Sequence, residues 1–153
     1  MTNLDNFYVP EELTGYGTLL QYYDPITAAW TTIAGTQDLE MPEDTVEAVE
    51  TTHGDGDGWG TTIPDGVQTL QPVTYTLNYR RSQFGILQQF KHNRRILLWR
   101  LVMTQTAEQI YLQFNGFITS IKGAMPLKGL VTSDVTIQPT GAPSTGRASG
   151  NLT

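Results

Sequence analysis

The chain has 153 residues, no cysteine and a formal net charge of −6 at pH 7. That length suits one domain that buries roughly two-thirds of its unfolded surface. The missing thiols exclude disulfides, thiolate zinc centres and cysteine nucleophiles, and the acidic balance disfavours a general phosphate binder. The charge is divided unevenly. Residues 1–79 hold thirteen carboxylates and no Lys or Arg, residues 80–153 hold nine Lys or Arg and two carboxylates, and the halves net −13 and +7. Such a split draws one half toward the other, within a copy through antiparallel strands or between copies in head-to-tail association.

The opening MTNLDNFYVPEEL has neither a basic n-region nor an apolar h-region, so no secretory signal is expected there. No stretch nears 18 apolar residues, and no membrane insertion by this chain is expected. Frequent Gly and Thr, with few helical patterns, lean toward a mostly β fold. Residues 17–23 read as a strand, Asp24-Pro25 as a turn, and residues 29–33 as the return strand of a hairpin. Residues 37–42 read as a short continuation ended by Pro42.

Residues 43–65 then read as a long acidic loop carrying Glu43, Asp44, Glu47, Glu50, Asp55, Asp57, Asp65 and the run HGDGDGWG. Loops of that length in compact domains are functional or disordered, and Trp59 among glycines and aspartates wants a partner. Residues 66–79 read as one strand, with Val73, Tyr75, Leu77 and Tyr79 on one face and Thr74, Thr76 and Asn78 on the other. Ser82 reads as the N-cap of a helix over residues 83–93, with Phe84, Ile86, Leu87 and Phe90 toward the core. Lys91 and His92 fall in its last turn, where positive charge suits the helix dipole. Residues 95–103 read as a strand covered on both faces. Residues 104–108 read as a turn, and residues 110–114 as an alternating strand. Asn115-Gly116 reads as a bulge or tight turn before a strand over 117–121. The last strand is expected over 130–138, with Val131, Ser133, Val135 and Ile137 on one face and Thr132, Asp134 and Thr136 on the other. A flexible Gly/Ser/Thr/Pro-rich tail is expected over 140–153.

No catalytic constellation stands out. His53 and His92 lack metal-pair spacing, and there is no Gly-x-Ser-x-Gly elbow and no phosphate-cradling glycine loop with Lys. Asp55-Gly56-Asp57-Gly58 has half of a calcium loop, but Trp59 stands where a further ligand belongs, so a turn fits better. Lys91, Arg94, Arg95, Trp99 and Arg100 join cations to an aromatic ring as nucleic-acid binders do. In a chain this acidic, helix-end roles for Arg94 and Arg95 and an interface role for Arg100 fit better. No catalytic, cofactor or metal role is assigned to any residue.

The order of features carries a resemblance. It runs from a hairpin with Trp30-Thr31-Thr32-Ile33-Ala34 through Asp38-Leu39 and Pro42 to the acidic segment ending near Trp59. The Val73-Thr74-Tyr75-Thr76-Leu77 strand, the helix with Phe84 and Phe90, and an Arg-flanked strand follow. Gln113-Phe114-Asn115-Gly116-Phe117-Ile118-Thr119-Ser120-Ile121, Val135-Thr136-Ile137 and Thr140-Gly141-Ala142-Pro143-Ser144 close it. Over residues 17–144 this resembles the major tail tube proteins of long-tailed, lambda-type siphophages. The resemblance implies a β-sandwich or partial barrel with one flanking helix, over residues 1–144, followed by a flexible tail over 145–153. It implies hexameric rings that complete a shared inner β-barrel and stack into the virion tail tube, the conduit for double-stranded DNA. Assembly would take place in the host bacterial cytoplasm. The implied partners are further copies of the chain, a tape measure protein inside the tube, tail tip and tail terminator proteins, and DNA that passes without specific binding. Some lambda-type proteins carry an added immunoglobulin-like C-terminal domain, which is not expected here.

In the family the long loop reaches the adjacent ring, which implies an inter-ring role for Glu43, Asp44, Glu47, Glu50, Asp55, Asp57 and Trp59. A complementary basic face is expected from Arg80, Arg81, Arg94, Arg95, Lys122 and Lys128. The expected lumen lining is neutral or negative, so that phosphate does not stall in transit, with Thr74, Thr76, Asn78, Thr132, Asp134 and Thr136 as candidates. The alternatives are a related ring protein (contractile-tail tube, secretion tube or tail terminator) or a monomeric β-sandwich carbohydrate-binding module with Tyr22, Tyr23 and Trp30 as a sugar platform.

Overall fold

A computed structural model describes residues 17–51, 58–103 and 108–149. The described chain is mostly β with one helix, in the order β1 (Leu19–Asp24), β2 (Ala29–Thr32), β3 (Asp44–Glu50), β4 (Thr62–Leu70), β5 (Val73–Asn78), α1 (Arg81–His92), β6 (Leu97–Met103), β7 (Glu108–Ala124) and β8 (Thr132–Ser149). Six strands form an open antiparallel sheet in the order β2-β1-β6-β7-β8-β5, and β3 pairs with β4 alone. The expected turn at 104–108 falls, up to residue 107, outside the described residues.

β7 and β8 form a hairpin of 17 and 18 residues, the spine of the sheet. The first half of β7 pairs with β6, and the first half of β8 pairs with β5. The pairing slips twice. Gln113 faces Ser144 while Asn115 faces Thr140, so Gly141, Ala142 and Pro143 bulge out of β8, and Thr119 is the extra residue of β7 between Ile118 and Ser120. Gly141 has φ +78, a left-handed conformation that glycine adopts without penalty. Proline is tolerated at a bulge because no ladder bond needs its nitrogen. The irregularity expected at Asn115-Gly116 therefore lies mainly in the partner strand. Residues 145–149, expected in a flexible tail, continue β8 because β7 supplies their ladder partners.

The two halves of the bent sheet enclose one core. Tyr75, Leu77, Val135, Ile137 and Ile118 from the β5 side meet Leu20, Tyr22, Leu97, Trp99, Leu101 and Phe114 from the β1 side. Leu87 and Phe90 of α1 complete it, and Tyr22 meets the Phe90 ring edge-on at 5.3 Å. Trp99 is fully buried, and its indole N–H donates to the Gly116 carbonyl at 3.1 Å, where the spine is irregular. A Cβ at residue 116 would lie 2.9 Å from Ile137 Cγ2 and 3.0 Å from the Gln138 carbonyl oxygen, so only glycine fits there. The buried Tyr75 hydroxyl donates to the Glu40 carbonyl at 2.7 Å, and burial raises its pKa above the ordinary tyrosine value.

Other local expectations shift. The strand expected over 66–79 breaks at Gln71-Pro72 into β4 and β5. The cap of α1 is Arg80, with extended backbone and no side-chain hydrogen bond, rather than Ser82. On α1, Leu87 and Phe90 are buried, Phe84 turns to the Tyr79 ring at 5.1 Å, and Ile86 is exposed. The edge of β5 away from β8 meets residues 35–37, with Gln37 N–H donating to the Thr76 carbonyl at 3.0 Å and Asn78 N–H to the Gly35 carbonyl at 2.8 Å.

Two glycine substitutions test this packing in opposite directions. Gly116→Ala is expected to destabilise by about 1–3 kcal/mol through overpacking. Gly85→Ala, in α1 with open space around its Cβ, is expected to stabilise by about 0.5–1 kcal/mol. Urea denaturation of both variants checks the pair, and equal midpoints would contradict the close approach at Gly116.

Candidate assembly surfaces

The acidic segment is a β-hairpin arm instead of the expected loop. β3 and β4 pair from Asp44↔Leu70 at the root to Glu50↔Thr62, with an irregularity between Val46 and Ala48. Thr51 N–H donates to the Thr61 carbonyl at 2.7 Å beyond the last strand pair. Thr45 and Thr69 hydroxyls lie 3.1 Å apart, a cross-strand pair of the kind β-structure favours. Nearly every arm residue is exposed, including Val46, Val49, Ile63 and Val67. Glu43, Asp44, Glu47 and Glu50 all lie on or beside β3, Asp65 lies in β4, and Trp59 near the tip is 79% exposed. Asp55 and Asp57 lie outside the described residues.

The arm's root sits at the Val73 end of β5. Gln71 N–H donates to the Glu43 carbonyl at 2.8 Å, and Gln138 Nε2 donates to the Leu70 carbonyl at 3.4 Å. Gln68, Thr69 and Leu70 line one small cavity with Gly141, Ala142 and Pro143. β4 thus continues the line of β5 alongside β8, away from Asn78. Its nine residues give it a reach of about 30 Å.

The expected basic face is not one surface. Arg80 and Arg81 begin α1, while Arg94 and Arg95 follow its end, about 18 Å away along a 12-residue helix. Tyr79 N–H donates to the Val131 carbonyl at 2.8 Å, which places Arg80 and Arg81 beside the β7–β8 turn that holds Lys128. At the other helix end, Lys91, His92 and Arg94 edge a groove of about 630 Å³ with Ile96, Phe117, Ile118 and Thr119. Arg95 stacks on Phe90, with Cζ 5.5 Å from the ring centroid. Lys122 faces Asp134 across the spine. The helix expected over residues 83–93 already implies this division, because Arg80 and Arg81 precede it and Arg94 and Arg95 follow it.

Arg100, expected at an interface, is buried within the sheet. Its Nε donates to Gln21 Oε1 at 2.6 Å, and its guanidinium lies 3.8 Å from the Trp30 ring centroid. Burial lowers its pKa. Trp30 also meets Tyr23 edge-on, and Tyr22 belongs to the core, so the three aromatics do not form one open platform.

The six candidate lumen residues do share one polar face. Thr74 faces Thr136, Thr76 faces Asp134, and Asn78 faces Thr132. The Thr74 and Thr136 hydroxyls are 2.9 Å apart, Thr76 Oγ1 donates to Asp134 Oδ1 at 2.9 Å, and Gln37 Nε2 donates to Asn78 Oδ1 at 3.3 Å. Their alternates Val73, Tyr75, Leu77, Ser133, Val135 and Ile137 are buried, so register holds the polar set outward. Among the described residues no three His, Asp or Glu side chains gather as a metal site, and no helix is long and apolar enough to cross a membrane.

Neither a protein-family model nor a curated protein matches the sequence. Solved structures share its fold. The tail of an empty gene transfer agent particle, from helical refinement with C6 symmetry, aligns with a TM-score of 0.70 at 17% identity over 88% of this chain and 99% of that one. The SPP1 tail tube aligns with a TM-score of 0.63 at 13% identity over 92% of this chain and 82% of that one. The 6-fold symmetrised baseplate of the anti-feeding prophage aligns with a TM-score of 0.73 at 7% identity over 90% of this chain and 97% of that one. The chain has the tail-tube fold.

The exposures of the three tryptophans are distinct. Trp99 is buried, Trp30 lies against Arg100, and Trp59 is exposed. Acrylamide is therefore expected to quench mainly Trp59 emission in the single subunit, and Trp59→Phe to remove most of the quenchable share. Unchanged quenching in that variant would show that the arm folds back on the body.

Proposed function

We propose that this chain is a structural tail tube subunit of a siphophage-type particle, with six copies closing a ring and rings stacking into a conduit for double-stranded DNA. The fold shared with a tail of C6 symmetry, across nearly the whole of both chains, carries this reading. In the open sheet, β2 has a strand partner on one side only among the described residues. Such an edge invites pairing, and a barrel shared between subunits removes it. The acidic arm reaches beyond the body, as a contact to an adjacent ring requires.

The polar face of β5 and β8 is the proposed lumen lining. The Thr74 and Thr136 hydroxyls bond one another and the Thr76 hydroxyl donates to Asp134, which takes these donors from phosphate, while Lys122 stands opposite the Asp134 carboxylate. During assembly in the host cytoplasm the lumen would surround a tape measure protein, a tail tip would initiate stacking, and a terminator would close the far end. The virion tail is the proposed site of action, and the role is structural, with no reaction assigned.

Negative-stain electron microscopy of the purified chain, alone and with tip and tape measure proteins, tests this. Tubes or stacked rings with a central channel are expected at low salt. Their fragmentation is expected as the screening length falls from about 10 Å at 0.1 M to about 3 Å at 1 M salt. A persistent monomer in the presence of tip and tape measure proteins would refute the tube assignment.

A further inference from the structure

The end of the molecule opposite the arm carries an unassigned surface. β5 separates the two ends, its six residues spanning about 20 Å. At the Val73 end the arm leaves the body. At the Asn78 end the β7–β8 turn, residues 125–131, lies beside the start of α1. Three large apolar residues of that turn are almost bare: Met125 at 81%, Leu127 at 106% and Leu130 at 70% exposure. Lys128 sits among them and Arg80 and Arg81 beside them, all exposed. No carboxylate occurs in residues 79–82 or 125–131. Three bare apolar side chains within one short turn, flanked by one sign of charge, are a candidate docking surface.

We propose that this turn, with Arg80 and Arg81, is the receptor for the β3–β4 arm of a second copy stacked head to tail on the first. The assignment rests on the tube reading and adds the surface that the arm meets. The arm is its chemical complement. Glu43, Asp44, Glu47, Glu50 and Asp65 stand on or beside its strands without one Lys or Arg, and Val46, Val49, Ile63 and Val67 are exposed between them. Carboxylates meet the three cations, and apolar side chains meet the turn's leucines and methionine.

A second basic surface competes for the arm, the groove edged by Lys91, His92 and Arg94. Its position argues against it. The groove includes Phe117, which pairs with Gln138, and Gln138 bonds the arm's root at Leu70. The groove therefore lies at the arm's own end. A heterologous contact that repeats along an axis needs donor and receptor on opposite ends. Among the described residues, the Asn78 end satisfies that requirement, with an arm that points away from it.

Charge reversal in the full chain, read by tube sedimentation and microscopy with circular dichroism to confirm folding, tests the receptor. The triple variant Arg80→Glu, Arg81→Glu, Lys128→Glu is expected to cut the sedimenting fraction by roughly tenfold, because like charges then face each other. The arm variant Glu47→Lys, Glu50→Lys is expected to do the same, and joining both sets in one chain to restore tubes. Lys91→Glu, Arg94→Glu is expected to leave stacking intact. Stacking lost in the groove variant and kept in the receptor variant would overturn the receptor while leaving the tube reading in place.

Because the chain has no cysteine, a thiol cross-link gives a second readout that does not require tubes. Val49→Cys protein mixed with Leu127→Cys protein and a short bismaleimide is expected to yield a covalent heterodimer. Preferential coupling of Val49→Cys to Ile96→Cys in the groove, or no intermolecular coupling to either, would refute the receptor.

Discussion

The antiparallel pairing of β7 with β8 is the interaction on which the rest of this structure depends. A regular ladder of that length would twist steadily but would lack a sharp local bend. The bulge at residues 141–143 and the extra residue Thr119 break the register, so one continuous hairpin serves two parts of a bent sheet. Trp99 packs into the bend, bonded to the Gly116 carbonyl, and the core closes around it. The same bulge lies against Gln68, Thr69 and Leu70 at the arm's root. One irregularity therefore bends the sheet and helps to seat the element that leaves it.

That economy explains what could be read from the residues and what could not. β5 and the first half of β8 were legible because a period of two, with Val, Tyr, Leu and Ile on one side and Thr, Asn and Asp on the other, has few other solutions. The polar face followed directly, and the register then brought all six candidate residues together. The helix was legible in position, but its cap was not, since Ser82 lies one residue inside the first turn. Residues 140–149 look like a linker in composition. They are strand because β7 provides a partner at long range, which no local preference encodes.

The acidic segment forms strands where its composition points to a loop, for a related reason. Carboxylates and glycines are poor strand formers, and residues 43–65 contain many of both. Thr45, Val46, Val49, Thr62 and Ile63 supply the β-favouring residues, thinly spread, and their value appears only when the two halves of the segment are aligned as a pair. The basic residues can be counted in the sequence, but the structure divides them between separate surfaces. The expected helix separates the two arginine pairs, and the axis of α1 then puts Arg80 and Arg81 at one end of the body and Arg94 with Lys91 at the other.

The placement of arm and turn at opposite ends of β5 bears on how a stack of such subunits would start and stop. If every copy points the same way, one terminus of the stack presents a fringe of unengaged acidic arms, and the other presents bare leucines ringed by arginine and lysine. These two rims are chemically unlike, so no single partner could close both. A protein that seats the fringe must offer cations and a greasy cleft, while one that covers the other rim must bring an acidic projection of its own. Direction of growth would then be written into the rims themselves.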